Sequence, residues 1–470
     1  MGRVLSLITA VLALGCNATR PDLSAYAPAA KQLVDTALSE GLAYERLGEL
    51  TTLAPHRLSG SEGYQRAAKW ARETMLADGL ENVRFEDVIA VHWERGDVGR
   101  VSIVEPERLA GTELPMLALG GSVATPEGGL RAEVVIADGL SAAAELGAAA
   151  EGKIVLFNQP MDPTKIRVFE AYSGAVGQRS RGAVEAAKVG ALAALVRTMS
   201  NRVDDVPHTG AMRYAADVPQ IPTAAISTRA AETVADLIAG GERVVLEFEQ
   251  NPRTLEPKAN PNVIGEIVGS ELPHEIVVVG GHLDCWDVGQ GAHDDGGGCV
   301  QSLEVLRLIK SLGWRPRRTL RVVLFANEEN GLAGGRGYVE QHLDEMPQHL
   351  LALESDSGVF TPRGFTTNAT GEAHALLEAA AELLAFTDAG VVETGSGGAD
   401  IGPMKSHGVL QVGFRPDGQR YFDIHHCARD TMDLVSEREI ELGAGLMAGL
   451  LWIVADMPVS IPRGPVASEG

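Results

Sequence analysis

The sequence has little cysteine, a deficit of basic residues and no apolar run at its start long enough to cross a membrane. Four cysteines among 470 residues are too few for a disulfide framework. The count of 40 Lys+Arg against 63 Asp+Glu gives a net charge of −23. Nucleic acids are bound through neutralisation of their phosphates by Lys and Arg, and the chain has no basic run. Nucleic acid is therefore not an expected partner.

Signatures of two other enzyme classes are missing as well. The chain contains no Gly-x-Ser-x-Gly elbow and no Walker A motif, so serine acyl transfer and phosphate binding have no local support. What remains is a composition of 45% hydrophobic and 22% charged residues, which is typical of a globular protein. At about 150 residues per domain, the length indicates two or three domains.

The N-terminal residues 1–16 have the pattern of a secretory signal, with an early positive charge and an apolar run over residues 4–14. That run is shorter than the roughly 20 residues of a membrane helix. The segment Ala13-Leu14-Gly15-Cys16 resembles a bacterial lipoprotein box, in which the cysteine is lipidated and becomes the first mature residue. We predict export, either as a cell-envelope lipoprotein anchored at Cys16 or as a secreted protein, with residues 17–28 as a tether. A buried first helix or an uncleaved anchor is the alternative.

The mature chain divides into a main part and an insert. Residues 29–109 and 251–460 carry amphipathic helices, a strand and buried apolar runs, and they are predicted to form one catalytic domain. Residues 110–250 consist of short β runs around an Ala-rich segment, 183–195, that is predicted to be helical. This stretch has almost no clustered metal-ligating residues, which favours a structural or substrate-shaping insert.

Two segments differ from the rest in composition. Residues 251–262, where the chain returns to the catalytic domain, contain Pro252, Pro257 and Pro261, a composition typical of a linker or a domain return. Residues 461–470 are predicted to be a tail.

Apolar runs and helices alternate regularly after the linker. Runs at 276–279, 320–326 and 350–353 have the composition of strands buried on both faces, and 300–312 is predicted to be helical. This alternation predicts an α/β fold with a doubly wound, mostly parallel sheet and helices on both faces. In such sheets functional groups gather at the carboxyl ends of the strands.

Histidines and carboxylates follow each of these runs. Within Gly281-His282-Leu283-Asp284 the two polar side chains point the same way, because side chains alternate along a strand. Asp294-Asp295 opens the next helix. An aspartate at this position is commonly an N-cap, but its carboxylate could also bridge two cations. The later groups are Asn327-Glu328-Glu329, Glu354-Ser355-Asp356, and His425-His426 followed by Asp430.

Each group alone has an ordinary structural explanation, such as an exposed acidic turn. Together they supply imidazole nitrogens and several carboxylates, a mixture that suits two zinc ions. Two metals bridged by a carboxylate provide a nucleophile and a Lewis acid for a carbonyl. The chemistry indicated is hydrolysis of an amide.

These motifs, in this order, resemble those of the co-catalytic di-zinc exopeptidase family, which includes bacterial leucyl aminopeptidase and glutamate carboxypeptidase. The resemblance implies that Asp294 bridges two zinc ions, with two further ligands at each metal. It implies Glu328 as the general base that moves a proton from water to the leaving amine, and Asp284 as the residue that holds the His282 ring. It also implies that the insert at 110–250 is similar to a protease-associated domain. The implied ligands are His282 and Asp356 at one zinc, and Glu329 and His426 at the other.

The resemblance leaves several alternatives open. The substrate is expected to be a peptide or dipeptide with a free terminus, but aminopeptidase, carboxypeptidase and dipeptidase activities share the metal motif. A glutaminyl-cyclase-like acyltransferase would lack one zinc site, whereas all five ligands are present here. A non-catalytic, receptor-like binding protein would not need Glu328. Similar proteins form homodimers, and no patch in this sequence locates such an interface.

Overall fold

The computed structural model describes residues 22–466. The predicted signal at 1–16, with its lipid-anchor site Cys16, lies outside these residues. The helices are α1 Ala27–Glu40, α2 Ala43–Leu53, α3 Glu62–Ala77, α4 Leu140–Leu146, α5 Val168–Ala175, α6 Gly177–Lys188, α7 Thr228–Ala239, α8 Gly297–Ser311, α9 Ala333–Gln341, α10 Gly371–Glu382 and α11 Glu437–Asp456. The strands are β1 Glu81–Glu94, β2 Gly99–Glu105, β3 Met116–Ala118, β4 Leu130–Ala137, β5 Ile154–Phe157, β6 Ala193–Arg197, β7 Thr223–Ile226, β8 Val245–Gln250, β9 Arg253–Ile267, β10 Leu272–His282, β11 Arg318–Phe325, β12 His349–Glu354, β13 Pro362–Thr367, β14 Val392–Thr394 and β15 Leu410–Pro416.

The main domain is built on an eight-stranded sheet with the order β1-β9-β11-β10-β12-β15-β13-β14. Its four central strands, β11, β10, β12 and β15, run parallel to one another. Antiparallel pairs flank them, because β9 pairs with β11 and β13 pairs with β15 in the opposite sense. The parallel character predicted from the sequence therefore belongs to the centre of the sheet, where the carboxyl ends of four neighbouring strands meet.

Both faces of this sheet are covered, as the continuous apolar runs predict. Val277 and Val279 of β10 pack with the helices α1, α2, α3, α8, α10 and α11 in one core. Val278, on the opposite face, packs in a smaller core with Tyr338 of α9 and Met404. Within residues 22–466, no helix is both long enough and apolar enough to cross a membrane.

A second sheet of seven strands, in the order β2-β8-β4-β5-β6-β7-β3, forms the insert. Its first strand begins at Gly99 and its last ends at Gln250, so the unit starts about ten residues earlier than the predicted 110. Strands β4 to β7 are parallel. The likeness of this unit to a protease-associated domain stays a prediction.

The Ala-rich segment 183–195 is only partly helical, which corrects the prediction. Helix α6 ends at Lys188, and residues 193–197 form strand β6. Gly190 has a φ of +75°, the left-handed conformation in which glycine commonly ends a helix. The short apolar run after it is buried at every position, and such a run does not distinguish a helix from a buried strand.

The proline-rich segment 251–262 is a return to the main domain and not an unstructured linker, because β9 begins at Arg253, directly after the last strand of the insert. Most of it belongs to β9, which pairs with β1 along its whole length but with β11 only from Val263 onwards. The first half of β9 therefore has one neighbour, and proline is tolerated where a strand has a free edge. Pro257 lies at an irregularity in the register between β1 and β9, where the ladder needs no amide from it.

The chain ends pack more closely than predicted. In the proposed tether, Leu23 is buried and α1 begins at Ala27, where Pro28 suits the first turn of a helix. The predicted tail is ordered as far as residue 466: Ile461 is buried, and the Arg463 guanidinium donates to the carbonyl of His349 at 3.0 Å.

A chain of buried hydrogen bonds lies under the sheet, away from the strand ends. Arg321 donates to the Tyr338 hydroxyl at 2.7 Å, and that hydroxyl lies 2.8 Å from Nε2 of His349. Nδ1 of His349 lies 2.9 Å from the carbonyl oxygen of Glu345, which can only accept. This arrangement requires a neutral imidazole that donates from Nδ1 and accepts at Nε2. Burial lowers the pKa of His349 to about 4.

We expect thermal stability to fall as the pH drops from about 6.5 towards about 4. In this range His349 binds a proton in the unfolded chain but stays neutral in the folded protein. His349→Gln should have a lower melting temperature than the wild type at pH 7.5, since it loses packing. This difference in melting temperature should be smaller at pH 5 by about 2 °C or more. Differential scanning calorimetry at both pH values measures both melting temperatures, and an unchanged difference would show that His349 does not contribute to acid sensitivity.

Candidate metal centre

The carboxyl ends of the four central strands bring all seven predicted site residues to one place. His282 ends β10, the glutamate pair follows β11, Asp356 follows β12, and His426 lies on the segment after β15. Asp294 lies between β10 and α8, on a segment that leaves regular helical geometry. Parallel strands thus collect side chains that are far apart in the sequence, as predicted.

Asp294 lies in the middle of this group, with its two carboxylate oxygens facing opposite ways. Oδ1 lies 3.3 Å from Nε2 of His282, and Oδ2 lies 3.3 Å from Nε2 of His426. Asp356 completes the first set, with its Oδ1 3.6 Å from the same nitrogen of His282. Glu329 completes the second set, with its Oε2 3.0 Å from Nε2 of His426. The side chains therefore form two clusters that share one carboxylate.

The neighbouring histidines are distinguished by these contacts. Nε2 of His425 lies 3.8 Å from Oδ2 of Asp294, and no contact with Glu329 accompanies it. Its ring stacks on the His426 ring, with centroids 3.5 Å apart. His426 has a φ of +61°, a left-handed conformation that is uncommon for a residue other than glycine. The contact with Glu329 thus favours His426 as the candidate ligand, although atoms of His425, His426 and Asp294 also lie close enough together to hold a metal.

Asp284 contacts the His282 ring chiefly through its backbone. Nδ1 of His282 lies 2.9 Å from the backbone carbonyl of Asp284, which can only accept, so the ring donates from Nδ1 and turns Nε2 towards Asp294. The Asp284 carboxylate instead accepts the backbone N–H groups of Glu328 at 3.0 Å and of Glu329 at 3.3 Å. This residue therefore positions the imidazole by its backbone and the two glutamates by its side chain.

The pKa values of the clustered side chains indicate that their negative charges lack enough positive charge to balance them. Burial raises the pKa of Glu328 to about 8, and it raises the pKa of Glu329 well above the ordinary range with the help of the charge on Asp294. Burial opposes a charge on His282, yet Asp294 and Asp356 still raise the pKa of its imidazole. Like charges this close ionise together only when a cation stabilises them.

Comparisons with known proteins place this chain in a family. The profile of peptidase family M28 matches residues 262–450. Carboxypeptidase Q of Mus musculus is 37% identical over 94% of this chain and 93% of its own. The chain belongs to peptidase family M28. The predicted membership in a zinc-dependent exopeptidase family is thereby confirmed.

Two solved structures share the fold. The crystal structure of a peptidase M28 precursor from Shewanella amazonensis SB2B superposes with a TM-score of 0.89 at 33% identity, and the match covers 94% of this chain and 99% of that one. The zinc aminopeptidase BSAP from Bacillus subtilis is 19% identical, with a TM-score of 0.66 over 90% of this chain and 97% of that one. The predicted α/β fold class is confirmed.

Two cavities flank the candidate metal centre of this M28 peptidase. The larger, of about 680 Å³, lies against Glu354 and Asp356. The smaller, of about 310 Å³, lies against Glu328, Glu329 and both histidines of the 425–426 pair. The insert contributes Phe169 to both cavities, and it contributes Tyr172 and Arg179 to the smaller one. The insert therefore shapes the approach to the strand ends, as favoured from the sequence.

Two acids that position the metal centre were assigned no such role from the sequence. Both carboxylate oxygens of Asp430 accept backbone N–H groups, from His293 at 2.7 Å and from Asp294 at 3.1 Å. Asp295 accepts the N–H of His282 at 3.0 Å and that of Gly298 at 3.2 Å. A carboxylate that accepts distant amides has no local sequence signal, because its partners are defined only by the fold.

Arg57 holds the loop after β10 in place, and no role was predicted for it from the sequence. Its guanidinium is fully buried and donates to three backbone carbonyls of the loop after β10, those of Leu283, Gln290 and Gly291, at 2.6 to 2.7 Å. His293, next to Asp294, points away from the cluster as expected. Its Nδ1 accepts the backbone N–H of Val359 at 3.2 Å.

Proposed function

We propose that this M28 peptidase is a di-zinc exopeptidase that hydrolyses dipeptides or short peptides with a free terminus. The observation that carries the proposal is the position of Asp294, whose two oxygens face two different pairs of ligating side chains. One pair is His282 with Asp356, and the other is Glu329 with His426. A carboxylate shared between two such pairs is the arrangement that a bridged pair of metals requires.

The residues present fit two zinc ions. Each cluster offers one imidazole nitrogen and carboxylate oxygens, a donor set that zinc accepts at about 2.0 to 2.2 Å. Oδ2 of Asp294 and Oε1 of Glu329 are buried and have no hydrogen-bond partner among residues 22–466, so both oxygens are free to bind a metal. When bound, the zinc ions would supply a Lewis acid for the scissile carbonyl and an acidified water.

Glu328 is the general base in this proposal. It lines the smaller cavity beside Glu329, and its backbone N–H is held by Asp284, so the side chain is fixed next to the ligands without being one of them. From there its carboxylate takes a proton from the attacking water and delivers it to the nitrogen of the leaving amine. Asp284 supports both roles because it positions the base and the ligand that follows it.

The metal stoichiometry is the first test. We expect two zinc ions per chain by calorimetric titration and mass spectrometry, and one in His426→Ala, because one cluster loses its only imidazole. The matched change His425→Ala should keep two. One zinc in the wild type would favour a glutaminyl-cyclase-like enzyme, and none would favour a non-catalytic binding protein.

Glu328→Gln should bind two zinc ions as the wild type does and should lower kcat on dipeptides by more than about a hundredfold, because the amide cannot transfer the proton. Release of free amino acids measures the rate. Full activity in this variant would contradict the assignment of Glu328 as the general base.

We also propose that the protein is exported and lipidated at Cys16. In a bacterial host with lipoprotein processing, the mature protein should carry an acyl-modified N-terminus and partition with membranes. Cys16→Ser should leave an unmodified protein in the soluble envelope fraction or in the medium. Mass spectrometry of the N-terminus distinguishes these forms, and an unmodified wild-type Cys16 would contradict lipidation.

A further inference from the structure

His426 lies further from a strand or an α-helix than the other proposed ligands do. His282 ends β10, and Glu329 and Asp356 follow β11 and β12 by four and two residues. Asp294 lies three residues before α8. By contrast, His426 lies ten residues beyond the end of β15 and eleven before α11. The strands and α8 therefore fix the other four ligands closely, whereas His426 is carried on a long loop.

The backbone of this loop is attached to the insert at His426 itself. The N–H of Thr209, between β6 and β7 of the insert, donates to the carbonyl of His426 at 2.9 Å. Thr209 is buried, and its hydroxyl donates to the carbonyl of Ala118 in β3 at 2.9 Å. His426 has a left-handed backbone, and such a conformation persists where surrounding contacts fix it. Thr209 supplies one of these contacts from the insert.

Two ion pairs join the same parts of the chain, one on each side of His426. Arg202 of the insert contacts Asp423 at 3.7 Å, and Asp204 of the insert contacts the guanidinium of Arg429. Asp423 precedes His426 by three residues, and Arg429 follows it by three. The attachment to the insert therefore spans the ligand from both sides.

The insert also contacts the side chain of His426. Nη1 of Arg179 lies 3.5 Å from Nδ1 of the imidazole. The Trp286 ring meets the same imidazole edge to face, with centroids 5.7 Å apart. Trp286 in turn packs against Gly120 of the insert, where a Cβ atom would lie 2.0 Å from the indole. Contacts from the insert thus reach both the backbone and the ring of this ligand.

His282, the imidazole of the other cluster, is held by the main domain. Its N–H donates to Asp295 at 3.0 Å, and its Nδ1 lies 2.9 Å from the carbonyl oxygen of Asp284. Both partners belong to the segment that joins β10 to α8. The two clusters share Asp294, but different units of the structure position their histidines.

We propose that residues 202–209 of the insert, which we call the clamp loop, position His426 and so determine how tightly the cluster of Glu329 and His426 binds its metal. The cluster of His282 and Asp356 does not depend on this loop. Residues that orient a metal ligand from outside contribute strongly to metal affinity. The inference rests on the proposed di-zinc function and deepens it, because one of the two metals then requires a docked insert.

Asp204→Lys tests the clamp loop, because it places a cation opposite Arg429. Competition with a chromophoric chelator measures the zinc affinity of each site. We expect the affinity of one site to fall by about tenfold or more and that of the other to stay within about twofold. The matched control is Asp205→Lys, since this neighbouring acid contacts Arg229 within the insert. It makes the same change of charge and should weaken neither site.

Two further variants identify the cause and the site. The reversed pair, Asp204→Lys with Arg429→Asp, should recover most of the lost affinity, to within about threefold of the wild type. In the His426→Ala background, which keeps only the cluster of His282 and Asp356, Asp204→Lys should cause no further loss. Asp204→Asn, which removes the charge without reversing it, should give a smaller loss at the same site. Melting temperatures check that each variant is folded.

A measurement without metal reports on the loop directly. In zinc-free protein, amide hydrogen exchange of residues 418–430 should be faster in Asp204→Lys than in the wild type, and Asp205→Lys should exchange as the wild type does. Unchanged exchange in Asp204→Lys would show that the clamp loop does not hold this segment.

The outcomes of the zinc titration separate this inference from the proposed function. If the wild type binds two zinc ions and Asp204→Lys binds both equally well, or loses affinity equally at both sites, the inference is wrong and the di-zinc function stands. An equal loss in Asp205→Lys would be an effect of charge alone and would also overturn the inference. A wild type that binds fewer than two zinc ions would contradict the proposed function itself, and the inference with it.

Discussion

Repulsion among the carboxylates collected at the carboxyl ends of the central strands is the constraint on which the site depends. Asp294, Glu328, Glu329 and Asp356 face one another in a buried space, and burial raises the pKa of the last three. His282 offsets part of this charge, because Asp294 and Asp356 raise the pKa of its imidazole, whereas burial lowers the pKa of His425 to about 3 and that of His426 well below its usual range. Cations between these side chains would stabilise the ionised acids, so the fold and the proposed zinc ions would stabilise each other.

A second group of acids holds this cluster in place by accepting backbone amides. Asp284, Asp295 and Asp430 each use both oxygens on backbone N–H groups, and each accepts the N–H of one proposed ligand: Glu329, His282 and Asp294, respectively. These three residues are thereby fixed through their main chain, which leaves their side chains free to face a metal. Acids that accept several amides and acids that face a metal thus look alike in the sequence. The first kind fixes the backbone, whereas the second kind would bind the metal.

This distinction explains how far the sequence could predict the structure. The motifs after β10, β11 and β12 were predictable, because parallel strands always bring their carboxyl ends together. The strand at 251–262 was not, since its prolines are tolerated only where β9 has a single neighbour, a property of the finished sheet. Arg179 was equally hidden, because it is about 250 residues from His426 in the sequence and its cavity exists only after the insert packs on the main domain.

That packing also positions Arg179. Helix α5 of the insert contacts the segment before His426 through aromatic pairs: Phe169 stacks on Tyr421 with ring centroids 5.4 Å apart, and Tyr172 stacks on Phe422 at 4.4 Å. Because Tyr172 also accepts a hydrogen bond from Arg179, the guanidinium is placed by the same contact that joins the two units. The candidate metal-ligating residues thus belong to the main domain, while part of the lining of the cavities beside them depends on how the insert packs against it.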